Sequence, residues 1–109
     1  MVDNDNASKV IVHIETLIEE ELPKLPPHLR IWAKQHLVEP RRVLLSRNED
    51  GTGEIALWLV TDHIGKNDST MRVVFDEIKD SFGLEMAMTD EIHWFMGFYG
   101  DFAKAVQGM

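Results

Sequence analysis

The sequence predicts an α+β fold in which an N-terminal helical hairpin packs on a five-stranded antiparallel meander sheet, followed by a short C-terminal helix. Apolar residues recur at intervals of three and four in the first third of the chain, and they alternate with a period of two from residue 41 onward. Turn residues bound the alternating runs. Because 109 residues is the usual length of one domain, we expect a single domain over 1–109, with residues 1–7 frayed.

Two helices are predicted before the change of period. Ser8 can cap the first helix, and Pro23 ends it. The Pro26-Pro27 pair suits the entry to a second helix, which Pro40 closes. With so short a link between them, the two helices are expected to form a hairpin on one face of the sheet.

Five strands are predicted from runs rich in β-branched and aromatic residues. Three of the four connections are short enough for hairpins, which favours an antiparallel meander. Asp101 can cap a last short helix that carries Phe102 and Val106. The predicted strands are 41–47, 55–61, 70–76, 81–88 and 92–99.

Symmetric hairpins predict which side chains share a face of the sheet. Across the last hairpin, Gly83 is expected opposite Gly97, and Phe98 is expected on the face that the helices cover. On the other face, Arg72 lies opposite Glu85, which predicts an exposed ion pair across two strands.

The first predicted hairpin is apolar on both of its faces. One face carries Val43, Leu45, Leu57 and Leu59, and a strand with two apolar faces is normally covered on both. Either the C-terminal helix or another molecule can cover the second face. In the second case these four side chains form a surface that binds a protein partner or a second copy of the chain.

The charge balance restricts the class of partner. Acidic residues outnumber basic residues 19 to 11, for a formal charge of −8. A surface of that sign repels phosphate backbones and anionic lipids, so we expect neither nucleic acid nor membrane as a partner and favour a basic protein. The absence of cysteine excludes disulfides and thiolate chemistry, and cytoplasmic localisation is expected.

The most polar segment is the predicted loop 62–69, which contains Asp62, His63 and Asp68. A functional interpretation makes Asp62 and His63 an acid/base pair or, with Asp68, ligands of a hard metal ion. The structural interpretation, which we favour, is that they are ordinary turn residues. No metal-ligand spacing and no cofactor motif is present, so we expect neither metal nor cofactor.

A second candidate site is a shallow trough that two opposed glycines would leave in the sheet. Such a trough can receive a small ligand, although an aromatic ring beside a glycine can equally shield exposed backbone. The residues of the predicted trough are Gly83, His93, Phe95, Gly97 and Tyr99.

Together these features favour a small acidic protein-interaction or regulatory domain without identifiable catalytic chemistry, able to bind a partner or a second copy of itself. The alternatives are a small-molecule-binding domain and a hydrolase-like enzyme that uses the Asp62, His63 and Asp68 loop.

Overall fold

A computed structural model describes residues 2–62 and 71–109. It has the predicted order of helices, meander strands and a short last helix. The helices are α1 (Val2–Glu21), α2 (Pro27–His36) and α3 (Phe102–Gln107), and a short 3-10 helix (Leu22–Lys24) follows α1. The strands are β1 (Leu37–Ser46), β2 (Glu54–Thr61), β3 (Met71–Asp76), β4 (Ser81–Ala87) and β5 (His93–Gly100).

Two predicted helix ends were wrong. Helix α1 begins at Val2, so Ser8 lies within the helix and does not cap it. Helix α2 ends at His36, and Pro40 belongs to β1. The register between β1 and β2 shifts between Leu37 and Arg41, and a proline is tolerated in a strand at such an irregularity.

The pairing of β4 with β5 shifts register at two positions, and the shift next to Leu84 changes the predicted partners. Near the turn, Met86 pairs with Trp94 as expected, but further along Gly97 lies opposite Leu84 and not opposite Gly83. Gly97 has a φ of 139°, a backbone conformation that glycine adopts readily. The shift places Phe98 opposite Gly83, and its ring contacts Phe95 with a centroid separation of 4.9 Å. The prediction that Phe98 joins the helix-covered face was therefore wrong.

The sheet closes into a barrel because its first and last strands meet. Ser46 of β1 pairs with Trp94 of β5 in parallel. The Ser46 hydroxyl donates a hydrogen bond to the carbonyl oxygen of His93 over 3.0 Å, and the Trp94 indole N–H donates to the carbonyl oxygen of Arg47 over 3.2 Å. These contacts hold the seam between the two strands.

Buried side chains form two separate clusters, one on each face of the closed sheet. The first cluster packs the helices against the outer face, and α3 contributes to it through Phe102 and Val106. Its largest buried side chains include Phe75, Phe102 and Ile14. The second cluster lies on the inner face and consists of Leu45, Leu57, Leu59 and Val74, with Val43, Ile55 and Phe95 packed against it.

Helix α3 is capped from a distance. Asp101 makes no capping hydrogen bond through its side chain, so the predicted cap was wrong. The backbone N–H of Ala103 instead donates to the carboxylate of Glu21, at the end of α1, over 3.3 Å. Lys24 hydrogen-bonds the other carboxylate oxygen, and this bond together with the charge of Glu21 raises the pKa of Lys24. The buried carboxylate of Glu21 thus connects the C-terminal end of α1 with the first turn of α3.

Candidate functional site

Three ionisable side chains meet on the inner face of the sheet, beside the second cluster. Arg72, Glu85 and His93 lie on β3, β4 and β5, and the ladders place Arg72 opposite Glu85 and His93 next to that pair. We call these three residues the polar cluster. It sits where three neighbouring strands present side chains to the same face, since alternate residues of a strand share a face.

One oxygen of the Glu85 carboxylate receives every contact that Arg72 and His93 make to Glu85. The Oε2 atom lies 2.8 Å from Arg72 Nε, 2.6 Å from Arg72 Nη2 and 3.1 Å from His93 Nδ1. The Oε1 atom is buried and has no hydrogen-bond partner among residues 2–62 and 71–109. The carboxylate is therefore held at one end and unsatisfied at the other.

The prediction of an exposed Arg72–Glu85 ion pair was wrong. The side chain of Glu85 is 0% exposed and that of Arg72 is 14% exposed. Closure of the sheet turns this face inward, so the pair shares its face with the leucines of the second cluster. A charge buried among apolar side chains must be paired, and Arg72 provides the pairing.

The imidazole of His93 connects the polar cluster to the surface, because its side chain is 32% exposed. Its Nδ1 atom lies 3.1 Å from Glu85 Oε2 and 3.4 Å from Arg72 Nη2. A protonated Nδ1 donates to Glu85, whereas an unprotonated Nδ1 accepts from Arg72, so the tautomer decides which neighbour it binds.

The residues of the predicted trough divide between the two faces. Phe95 covers Gly83, since a Cβ atom on Gly83 would lie 2.6 Å from the ring of Phe95. Tyr99 packs against the first cluster, on the outer face, and Gly97 lies opposite Leu84. The expected pairing of the two glycines was wrong because of the register shift next to Leu84, and His93 and Phe95 are the members that the structure places beside Glu85.

The four residues predicted to bind a partner lie on the inner face of the barrel. Leu45, Leu57 and Leu59 are at most 2% exposed and belong to the second cluster, and Val43 packs against it. The C-terminal helix packs on the outer face and does not cover them. The curled sheet itself covers them, with Val74 and Phe95 contributing from β3 and β5.

Of the predicted polar loop, the structure describes Asp62. Its carboxylate lies 2.7 Å from Nδ1 of His36, and its backbone N–H donates to the carbonyl oxygen of His36 over 2.9 Å. This contact ties the end of α2 to the end of β2, and no sequence spacing indicated it. His63 and Asp68 lie outside the described residues, so an acid/base or metal role for the loop stays a prediction.

A groove on the outer side of the molecule separates α1 from the start of β1. Its volume is about 210 Å³. Ile18 and Pro40 are buried at its base, while Glu15 and Glu19 are exposed at its α1 side. We call it the α1–β1 groove, and its lining consists of Glu15, Ile18, Glu19, Leu22, Leu37, Val38 and Pro40.

Comparison of the chain with protein-family models, with curated proteins and with solved structures finds no match. Within residues 2–62 and 71–109, no group of three or more His, Cys, Asp or Glu side chains could hold a metal ion. In the same part of the chain, no helix is long and apolar enough to cross a membrane.

Proposed function

We propose that this chain is a small protein-binding domain that takes up a basic segment of another protein in the α1–β1 groove. The observation that carries the proposal is the composition of the groove: an apolar base beside an acidic wall. An apolar side chain of the partner fills the base, while lysine or arginine residues next to it pair with the wall. The proposal places the domain in the cytoplasm, in keeping with a sequence that has no cysteine.

The base of the groove favours an apolar anchor. Leu22, Leu37 and Val38 are half-buried, so each keeps apolar surface in contact with water. Burial of that surface by a partner side chain contributes roughly 25 cal/mol for each Å² removed from water. A cavity of about 210 Å³ has room for one large side chain, which makes a single anchor residue the natural unit of recognition.

The wall of the groove favours a basic partner. Glu15 and Glu19 are exposed and lie one turn apart on α1. The chain as a whole carries a formal charge of −8, which attracts a cationic partner at long range and raises its association rate. A second copy fits less well, because two chains of that charge repel each other.

Reversal of the groove charges is expected to weaken binding of a basic peptide at least tenfold. The probe is a synthetic peptide with one leucine flanked by lysines, and the variant is Glu15→Lys with Glu19→Lys. Both positions are exposed, and a lysine in place of Glu19 lies in the last turn of α1, where a cation suits the helix dipole, so the variant should fold. Dissociation constants are measured by fluorescence anisotropy at low ionic strength, where surface charges are least screened.

A matched control separates the effect of the groove charges on binding from the effect of the overall net charge. Asp90 and Glu91 are exposed in the turn between β4 and β5, and Asp90→Lys with Glu91→Lys changes the net charge by the same amount. The control should weaken binding at most threefold. Equal losses in both variants, or equal binding of a peptide with glutamates in place of the lysines, would contradict the proposed groove.

A further inference from the structure

The Glu85 carboxylate has a hydrogen-bonding capacity that its neighbours among the described residues do not use. Its side chain is 0% exposed, and its Oε1 atom has no donor within reach among the described residues. Buried polar atoms of native proteins are nearly always hydrogen-bonded, so an unsatisfied carboxylate oxygen marks a position where a further donor can bind. Both Arg72 nitrogens that contact Glu85 bind Oε2, which leaves Oε1 open to that donor.

We propose that the polar cluster is one end of a binding site for a neutral small molecule that carries a hydroxyl or amide donor on an apolar body. This site is separate from the α1–β1 groove, and it would extend the protein-binding role with the recognition of a ligand.

The charges of the polar cluster select a neutral ligand. The positive charge of Arg72 cancels the negative charge of Glu85. A cationic ligand would leave a surplus positive charge in a buried site, and an anionic ligand would bring a like charge to Glu85. A hydroxyl or amide group donates a hydrogen bond to Oε1 without either cost.

The surroundings of the polar cluster select an apolar body. The Cα atom of Phe95 lies opposite that of Glu85 across β4 and β5, and its ring packs against the second cluster. The ring of Phe95 also contacts Phe98 edge to face, and Phe98 is 40% exposed. This aromatic pair and the partly exposed His93 lie between Glu85 and the surface, and their rings offer a surface against which an apolar or aromatic body can pack.

The test compares benzyl alcohol, benzamide, toluene and benzylamine as probes in NMR titrations of the intact chain. Benzyl alcohol and benzamide should give saturable shifts confined to residues around Glu85, His93 and Phe95, and should bind at least tenfold more tightly than toluene, which has no donor. Benzylamine should bind more weakly than benzyl alcohol, because it carries a positive charge. Equal binding of toluene, tightest binding of benzylamine, or the absence of saturable shifts would overturn the proposal.

A double variant tests whether Glu85 causes the tighter binding of benzyl alcohol than of toluene. In Arg72→Met with Glu85→Met, the advantage of benzyl alcohol over toluene should fall to less than twofold. The exposed pair of Asp101 and Lys104 supplies the control, since its double replacement by methionine removes one charge of each sign and should keep the advantage. Persistence of the advantage in the Arg72→Met with Glu85→Met variant would also overturn the proposal. Should that variant fail to fold, the comparison of the four probes on the unaltered chain decides.

Discussion

Replacement of Arg72 by methionine is expected to lower the free energy of unfolding by about 3 to 5 kcal/mol. The reason is the Glu85 carboxylate, which is 0% exposed and depends on Arg72 for its two shortest hydrogen bonds. Without Arg72, Nδ1 of His93 is the one hydrogen-bonding partner that residues 2–62 and 71–109 still offer to this carboxylate, at 3.1 Å. Urea denaturation followed by circular dichroism measures the loss.

A second variant shows that the unpaired charge causes the loss. In Arg72→Met with Glu85→Met, both charges are replaced by flexible apolar side chains, and most of the lost stability should return, since buried ion pairs are often replaceable by apolar residues. Lys104→Met is the matched control, because Lys104 pairs with Asp101 over 3.8 Å with both side chains more than half exposed. Its effect should stay below about 1 kcal/mol. A loss from Arg72→Met as small as that of the control would show that Glu85 is solvated.

Replacement of Leu57 by aspartate is expected to abolish cooperative folding or to cost more than about 4 kcal/mol. Leu57 is 1% exposed within the second cluster, so the variant removes apolar contacts and introduces a carboxylate without a partner. The loss is comparable to the whole stability of an ordinary domain, roughly 5 to 15 kcal/mol. Thermal unfolding by circular dichroism, together with the solution mass, measures it.

Leu44→Asp is the control for the same chemical change on the outer face. Leu44 neighbours Leu45 on β1 but is 61% exposed, and its replacement should cost less than about 1 kcal/mol. If Leu57 instead belonged to a surface that binds a partner, Leu57→Asp would leave the monomer cooperatively folded and change only its association. That outcome would contradict the closed sheet.

Much of the fold could be predicted from local patterns. Strand β2 begins at Glu54, next to the predicted start at Ile55, because its apolar alternation and the turn residues before it are both local signals. The pairing of Met71 with Met86 was also confirmed, since a short turn between β3 and β4 fixes the register. The two register shifts between β4 and β5 could not be predicted, because an inserted residue leaves no periodic signal.

Closure of the sheet could not be predicted from local patterns either. It rests on one parallel pair, Ser46 with Trp94, far apart in the sequence. A signal for it was nevertheless present: β2 is apolar on both faces, and such a strand needs cover on both. Leu59 pairs with Val74, and Val74 pairs with Gly83 on the next strand. Arg72 and Glu85 lie two residues from Val74 and Gly83 and share their face, so the same cover extends to them.

The candidate sites also contain parts that local patterns predict and parts that they do not. His93 and Phe95 were predicted to share a face of the sheet, and the structure places both beside Glu85. Glu85 itself was missed as a site residue because an acidic residue in an alternating strand normally faces water. The α1–β1 groove was missed as well, because it joins two elements whose contact no spacing in the sequence encodes.

The chain covers the inner face of its own sheet. Isotope-filtered NMR on a mixture of labelled and unlabelled chains tests this directly. We predict nuclear Overhauser effects between the ring of Phe95 and methyl groups of the second cluster within one molecule, and none between molecules at those methyl groups. Intermolecular effects at the methyl groups of Leu57 or Leu59, or the absence of any effect from the ring of Phe95, would contradict it.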